Sequence, residues 1–453
     1  RQRARKALTV VVPIRPERVG ELTRFLTAIG EDIVGNPHIR FERLRRVHFM
    51  RWVVLPGEAC EGVREASRPL LALEGNFDGT AGEFLDELLA VCGPALKEHI
   101  YSHCEPASHA GCSDEELKGL LLEHVEREAT FYAAYPHLTV ERIDNDARVR
   151  QCLHRCLAGP ETRPLESRVR PGVPQALLSE EEQRQRDARL LECLRRHLTE
   201  VALVQEPGLE LSPVRPSWRT RLARTGVVRS FFGALVLPVA VPVGLGLLAL
   251  EGRRTGAESL SARGEEALRS LRVLVEREDW KAQNQLTHCV DVEPGRVRLL
   301  LLKATVRCWG YLAKHFFNQG ALGGIEGIHF ARWVILKDGE RHRLLFFSNY
   351  DGSWEGYLGS FIDRAAIGLT SIWCNARGFP RTRLVRQRPF VKLGARNAEQ
   401  FKQWVRRCQL PTQVWFTRHP ELGTGNILND SHLRAMALAR MSPAQVREWL
   451  QRL

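Results

Sequence analysis

No two of the eleven cysteines stand in C-x-x-C spacing, which removes the signature of a structural zinc knuckle. They follow no disulfide-framework pattern either, and this favours a reducing compartment. Glycine and proline are not in excess, so the chain is no low-complexity polymer and has the composition to bury real cores. A phosphate-binding loop is missing: the glycine-rich "GALGGIEG" (320–327) has no Lys-Ser/Thr and leads into a strand-like run. No Ser-His-Asp signature is present. The aromatic stretch "RLLFFSNYDG" (343–352) lacks the K/R-G-F/Y-G/A-F-V-x-F/Y pattern of RNA-binding sheets. Nucleic acid is therefore not an expected partner, even at a net charge of +13. No signal-type apolar region follows "RQRARK". "HCEPASHAGC" (103–112) gathers His103, Cys104, His109 and Cys112, and Cys152 and Cys156 lie one helical turn apart. Neither group has metal-knuckle spacing, so no metal site is expected.

What the sequence does have is written twice. "VHFMRWVVL" (47–55) returns as "IHFARWVIL" (328–336), with six of nine positions identical. Upstream, "LTVVVPIRPERV" from Leu8 aligns without gaps to "LTHCVDVEPGRV" from Leu286. Downstream, "GNFDGT" (75–80) pairs with "SNYDGS" (348–353), and "HIYSHC" (99–104) with "SIWCNA" (371–376). "YPHLTVERIDNDARVR" (135–150) then matches "HPELGTGNILNDSHLR" (419–434), keeping the Asn-Asp pair at 145–146 and 429–430. Order is preserved throughout, as in a duplicated domain of roughly 150 residues.

Each copy opens on an alternating strand (7–14; 286–292) and continues, after a proline, into a helix-period stretch (16–30; 294–317). Two further strands meet through a turn, marked by Asp338-Gly339 in the second copy. A helix capped by Thr80 or Ser353 follows, and a fourth strand closes the unit. An extra helix (114–126; 398–407) and an aromatic strand (131–132; 415–416) complete each half. The plan is β-α-β-β-α-β, so the expected fold is α+β: two tandem ferredoxin-like repeats packed as a pseudo-dimeric α/β barrel. Residues 1–157 form repeat one, 158–283 a helical connector with an apolar hairpin at 230–250, and 284–453 repeat two.

Strict strand alternation puts His48, Met50 and Trp52 on one face and Phe49, Arg51 and Val53 on the other. One face packs on helices and the other on the second copy. The repeated polar residues have two readings each. His48 and His329 are fold histidines or site groups, Arg51 and Arg332 are ion-paired or act on a substrate, and Asp78 and Asp351 form turns or move protons.

The connector departs from a plain soluble repeat. "RPSWRTRLARTGVVR" (215–229) runs into "SFFGALVLPVAVPVGLGLLAL" (230–250), twenty-one residues without a charge, and "EGRRTG" ends it. The run is long enough to cross a bilayer, but Pro238, Pro242, Gly244 and Gly246 divide it. A single crossing would also separate the two repeats. The expectation is a hairpin that dips into one face of a membrane. Trp218, Arg219, Arg221, Arg224, Phe231, Phe232, Arg253 and Arg254 would contact anionic lipid, on the cytoplasmic side. A buried hairpin on the barrel or an oligomer contact is the competing reading.

The strings "LGGIEGIHFARWVIL", "LLFFSNYDGSWEGYLGSFID", "GLTSIWCNARGFPRT" and "PTQVWF" resemble those of an uncharacterised bacterial family of tandem-repeat proteins. More distantly, the doubled plan is similar to haem proteins of the dye-decolourising peroxidase and chlorite dismutase group, whose peroxidases carry G-x-x-D-G, matched here by Gly75 to Gly79. That resemblance implies haem as cofactor and carries over Asp78 as a proton-transfer candidate beside an arginine that stabilises charge on peroxide. An oxidoreductase reading sets haem or a lipid-derived oxidant between the repeats, with His329, Arg332 and Asp351, or their partners His48, Arg51 and Asp78, at the cavity wall and a membrane-bound redox partner. The sequence thus supports a membrane-surface protein that binds a lipid or other apolar ligand without a catalytic centre. Its alternative is a haem-dependent peroxidase-like oxidoreductase with its site between the repeats.

Overall fold

Runs rich in valine, leucine and aromatics, broken by Asp-Gly and Pro, form strands, while stretches with apolar residues every three or four positions form the helices that cover them. A computed structural model describes residues 5–57, 68–105, 111–159, 179–211, 281–315, 321–322, 324–381, 383–384, 391–392 and 394–453, with isolated positions between 272 and 279. In chain order the principal strands are β1 (Arg5–Pro13), β2 (Val47–Leu55), β3 (Leu70–Asp78), β4 (Glu128–Ala133), β5 (Gln283–Asp291), β6 (Ile328–Asp338), β7 (Arg341–Asp351) and β8 (Val414–Thr417). The helices are α1 (Val19–Glu31), α2 (Ala81–Ala95), α3 (Asp114–Glu123), α4 (Val140–Leu157), α5 (Glu180–Arg196), α6 (Arg296–His315), α7 (Trp354–Arg364), α8 (Ala366–Trp373), α9 (Ala398–Cys408), α10 (Thr424–Ala437) and α11 (Pro443–Gln451). The caps expected at Thr80 and Ser353 are in place, Thr80 closing a capping box on α2 and Ser353 accepting from Gly356 N on α7, and Ser179 closes a capping box on α5.

The chain divides into two compact units, and the first, Arg1–His137 with Leu222–Thr424, holds both sheets. The sheets are antiparallel and four-stranded, ordered β1-β3-β2-β8 and β5-β7-β6-β4. Their edge strands are exchanged: β8 from the C-terminal half lies on β2, and β4 from the N-terminal half lies on β6. One face of the first sheet is covered by α1, α2 and α3, around Leu22, Leu26, Leu88 and Trp52. Its other face meets the second sheet directly, with Val11, Val53, Leu55 and Ala72 against Val334, Leu336, Leu345 and Phe347. Burying each such aliphatic side chain contributes about 1.5–3 kcal/mol relative to exposure.

Two expectations need correction. The fourth strand expected to close each copy after the capped helix does not form there: 96–103 and 366–373 are helical, with Leu96, Ile100, Tyr101 and Cys104 buried at helical spacing, and among the described residues only single bridges, Ile14 to Cys104 and Val292 to Ala376, follow them. The fourth strand of each sheet is instead the other half's aromatic strand, which lies on β2 or β6, at the edge opposite β1 or β5. No closed barrel forms either. The segment before β4 bonds to β1 (Val11 N to His124 O, Glu126 N to Thr9 O) before turning onto β6, and the segment before β8 bonds to β5 (Leu410 N to Thr287 O) before turning onto β2. These bridges stitch two corners, and the ladders do not continue through them.

Exchange demands close approach. An ideal Cβ on Gly30, in α1, would lie 1.8 Å from the Gln413 carbonyl oxygen beside β8, and one on Gly310, in α6, would lie 3.1 Å from Thr130 Oγ1 on β4. A helix glycine thus lets each exchanged strand seat.

The second unit is Leu138–Arg221 with Gly425–Leu453, and its described elements are helices. Here α4, α5, α10 and α11 enclose Val149, Leu153, Leu194, Leu433 and Trp449. The duplicated Asn-Asp motifs meet in it reciprocally: Asp146 pairs with Arg434, and Asp430 with Arg150 at 2.8 Å. Burial pushes both carboxyls above their ordinary range, opposed by these arginines.

Two outcomes follow from strand exchange. Residues 1–157 expressed alone will not give a monodisperse monomer with a cooperative melt, because β2 then lacks β8 and the inter-sheet face lacks its cover. Gly30→Ala will cost at least about 1–3 kcal/mol in urea melts, since the clash is with backbone. Gly20→Ala in the same helix has open space around it and will change stability by no more than about 1 kcal/mol.

Candidate functional site

The repeated polar residues converge between the sheets. Arg51 is directly opposite Glu74 in the ladder, and Arg332 is opposite Phe347. Both arginines are at most 1% exposed. Each reaches across to the other sheet. Arg51 donates from Nη1 to Gln285 Oε1 (3.0 Å), Leu286 O (3.1 Å) and Thr287 Oγ1 (3.1 Å), and from Nη2 to Ser348 O (3.0 Å) and Asn349 Oδ1 (2.6 Å). Arg332 donates from Nη1 to Leu8 O (2.9 Å) and Thr9 Oγ1 (3.2 Å), and from Nη2 to Gly75 O (2.8 Å) and Asn76 Oδ1 (2.6 Å). The acceptors occupy matching places in the duplicated motifs: Leu8-Thr9 with Leu286-Thr287, Gly75-Asn76 with Ser348-Asn349.

Charge is not matched in the same way. Two guanidinium groups share one buried carboxylate, Glu74. Its Oε2 accepts from Arg51 Nε at 2.9 Å, while Oε1 faces Arg332 Nη2 at 2.7 Å and accepts from Asn76 Nδ2 at 2.7 Å. The second positive charge is spread over carbonyl dipoles and over the rings of Phe347 and Phe131, 5.6 and 5.5 Å from the two guanidinium carbons. Burial lowers Arg51 from its ordinary pKa, with Glu74 opposing.

The histidines sit on bulges. Val47 is paired to Phe77 and Phe49 to Asn76, so His48 is the extra residue, and His329 occupies the same position between Ile328 and Phe330. This corrects the alternation expected from the sequence. A bulge turns His48 away from the Met50 and Trp52 side, bringing its ring 5.7 Å from Phe330 and 6.4 Å from Tyr135. His48 Nε2 lies 3.0 Å from Asp78 Oδ1, and His329 Nε2 lies 2.7 Å from Asp351 Oδ1. The Tyr135 hydroxyl is 2.6 Å from His329 Nδ1, and Asp351 Oδ2 accepts from Thr424 N (2.7 Å) and Oγ1 (2.9 Å). A neutral His329 protonated at Nε2 satisfies both of its ring contacts. The aspartates therefore orient histidines, and the turns belong to the glycines that follow, Gly79 (φ +102°) and Gly352 (φ +78°).

All six expected residues line the contact between the sheets, as a polar band inside an apolar interface. Glu74, Tyr135, Thr9, Thr287, Asn76 and Asn349 join them; all but Glu74 stand in the aligned motifs, though the pattern gives none of them a role. Trp218, Arg219, Arg221, Arg224, Phe231, Phe232, Arg253 and Arg254 lie outside the described residues. Among the described residues no helix is long and apolar enough to cross a membrane. Compared with protein-family models, curated proteins and solved structures, the chain has no match.

In chemical terms the band is closed. The Nη atoms of both arginines already donate to fixed acceptors, which gives a substrate oxyanion no preorganised donor there. Both ring nitrogens of His329 have partners. Arg332→Met, which removes the donor to Leu8 O, Thr9 Oγ1, Gly75 O and Asn76 Oδ1 and leaves Glu74 with Arg51 alone, will destabilise the first unit by about 3–5 kcal/mol in urea melts, and Arg51→Met by a similar amount, because each guanidinium carries a matching set of cross-sheet bonds.

Proposed function

We propose that this chain is a non-catalytic scaffold of the bacterial tandem-repeat type its motifs resemble, built from two ferredoxin-like copies, and that it attaches to an anionic membrane surface and holds a lipid or other apolar ligand there. One observation carries the first half of the reading: the arginines best placed to act on a substrate are committed to the opposite sheet. A haem-dependent peroxidase between the repeats fits poorly with that arrangement. His329 is held at both nitrogens, His48 Nε2 is held by Asp78, and Phe49, Phe330 and Trp415 pack in the space beside them, with ring centroids 5.6 Å (Phe49 to Phe330) and 6.4 Å (Phe49 to Trp415) apart.

The membrane half rests on sequence. The uncharged run 230–250 sits between arginine-rich flanks, and juxtamembrane arginines are each worth about 1 kcal/mol near anionic headgroups. A one-sided attachment keeps both copies on the same side of the membrane, as two sheets packed on each other require, and on this reading that side is the cytoplasm. Flotation of the full chain with phosphatidylcholine vesicles, with and without phosphatidylserine, tests it. The protein should float with the anionic vesicles at low salt and less at high salt. Deletion of 230–250 should leave it in the soluble fraction with an unchanged melt. A full-length protein that stays free of anionic vesicles overturns the membrane reading. A Soret band in protein produced with haem precursor, lost on substituting His48 or His329, overturns the non-catalytic one.

A further inference from the structure

Helix α6 has two apolar faces, one buried and one with strongly exposed residues. Its inner face is fixed to the second sheet and to α8: Leu302 and Val306 are fully buried, Arg298 Nη1 donates to Cys374 O at 3.1 Å, and Trp309 Nε1 donates to Ser371 Oγ at 2.9 Å. On the opposite side Val297, Leu300, Ala304, Cys308 and Tyr311 recur at spacings of three and four, which places them on one stripe. Val297 is 65% exposed, Leu300 67% and Tyr311 37%, far more than the apolar residues of the inner face. Ile367 on the neighbouring α8, beside the Gly368 that packs on Trp309, is 67% exposed as well.

The charge beside this stripe has one sign. Arg296, Lys303 and Arg307 fall along one flank of it, Arg296 and Arg307 being exposed and Lys303 half-exposed. The helix contains no Asp or Glu in its twenty residues. A second copy laid on this face would set basic flank against basic flank with no acid in the helix to neutralise it. An anionic lipid surface supplies both things that the face lacks, apolar depth for the stripe and negative charge for the flank.

We infer that the outer face of α6 is a second membrane contact, lying in the headgroup layer with Val297 and Leu300 inserted and Arg296, Lys303 and Arg307 on lipid phosphate or carboxylate. The inference rests on the membrane-surface reading above but uses a different part of the chain, so the two can fail separately.

The test is vesicle flotation of the full chain, using phosphatidylcholine vesicles with and without phosphatidylserine. It compares the wild type, Val297→Glu/Leu300→Glu, Arg296→Gln/Arg307→Gln and the 230–250 deletion. Both pairs of substitutions are at exposed positions, and unchanged thermal melts will show that the fold is intact. The Val297→Glu/Leu300→Glu variant should lower partitioning onto anionic vesicles at least about tenfold, by removing inserted side chains and adding repelled charge. The Arg296→Gln/Arg307→Gln variant should lose binding to phosphatidylserine vesicles at low salt and show a weaker salt dependence. Should the deletion abolish flotation while both α6 variants bind like the wild type, α6 is not a lipid contact and only the connector reading stands. Should the deletion still float and the α6 variants fail to, α6 is the principal contact. A wild type that never floats overturns both.

Discussion

A buried guanidinium with no water around it must find acceptors for its donors, or the fold pays several kcal/mol for each one left unmade. Arg51 and Arg332 meet that demand by each being solvated by the other's sheet. This constraint governs the rest of the first unit. It fixes which carbonyls of β1, β3, β5 and β7 must face inward, it requires Thr9, Thr287, Asn76 and Asn349 at set positions, and it locks the two sheets in one register. The apolar contacts around it supply most of the stabilisation, but they are tolerant of sliding. A fork of directed N–H groups is not.

Reciprocity recurs at every level. The guanidinium groups are exchanged, the edge strands are exchanged, and in the helical unit Asp146 takes Arg434 while Asp430 takes Arg150. A duplicated sequence can do this because any residue that one copy offers its neighbour is offered back. Glu74 is the exception. Its counterpart in the ladder is Phe347, so a single carboxylate serves two cations, and the two halves are electrostatically different at their shared centre.

Much of this was legible in the sequence for a physical reason: helices and strands announce themselves by period, and a repeat announces which residues travel together. The positions of β1, β2, β6, α3, α9 and the caps at Thr80, Ser179 and Ser353 follow from such local signals, and so does the gathering of His48, Arg51, Asp78 and their equivalents. What local signals cannot carry is pairing between distant segments. Nothing within "VWFT" says that it will lie on β2 rather than beside β5. Alternation along "VHFMRW" likewise gives no sign of the bulge at His48, which depends on how β3 is registered against it. The strand expected to close each copy has no such signal of its own: "HIYSHC" follows α2 with buried residues spaced as on a helix. Glu74 was passed over because a lone acid in "LLALEGNFD" has no counterpart in the second copy.

Exchange of the edge strands also imposes an order on synthesis. A ribosome completes β1, β2 and β3 long before it reaches Val414, and at about 5–20 residues per second the interval is on the order of tens of seconds. During that time β2 has an open hydrogen-bonding edge, next to a strand face rich in Phe49, Val53 and Leu55. The nascent N-terminal half is therefore a sheet waiting for a strand, and a second ribosome on the same message can present one. An open edge of this kind is the template that strand swapping between chains uses, and only the arrival of the chain's own β8 closes it.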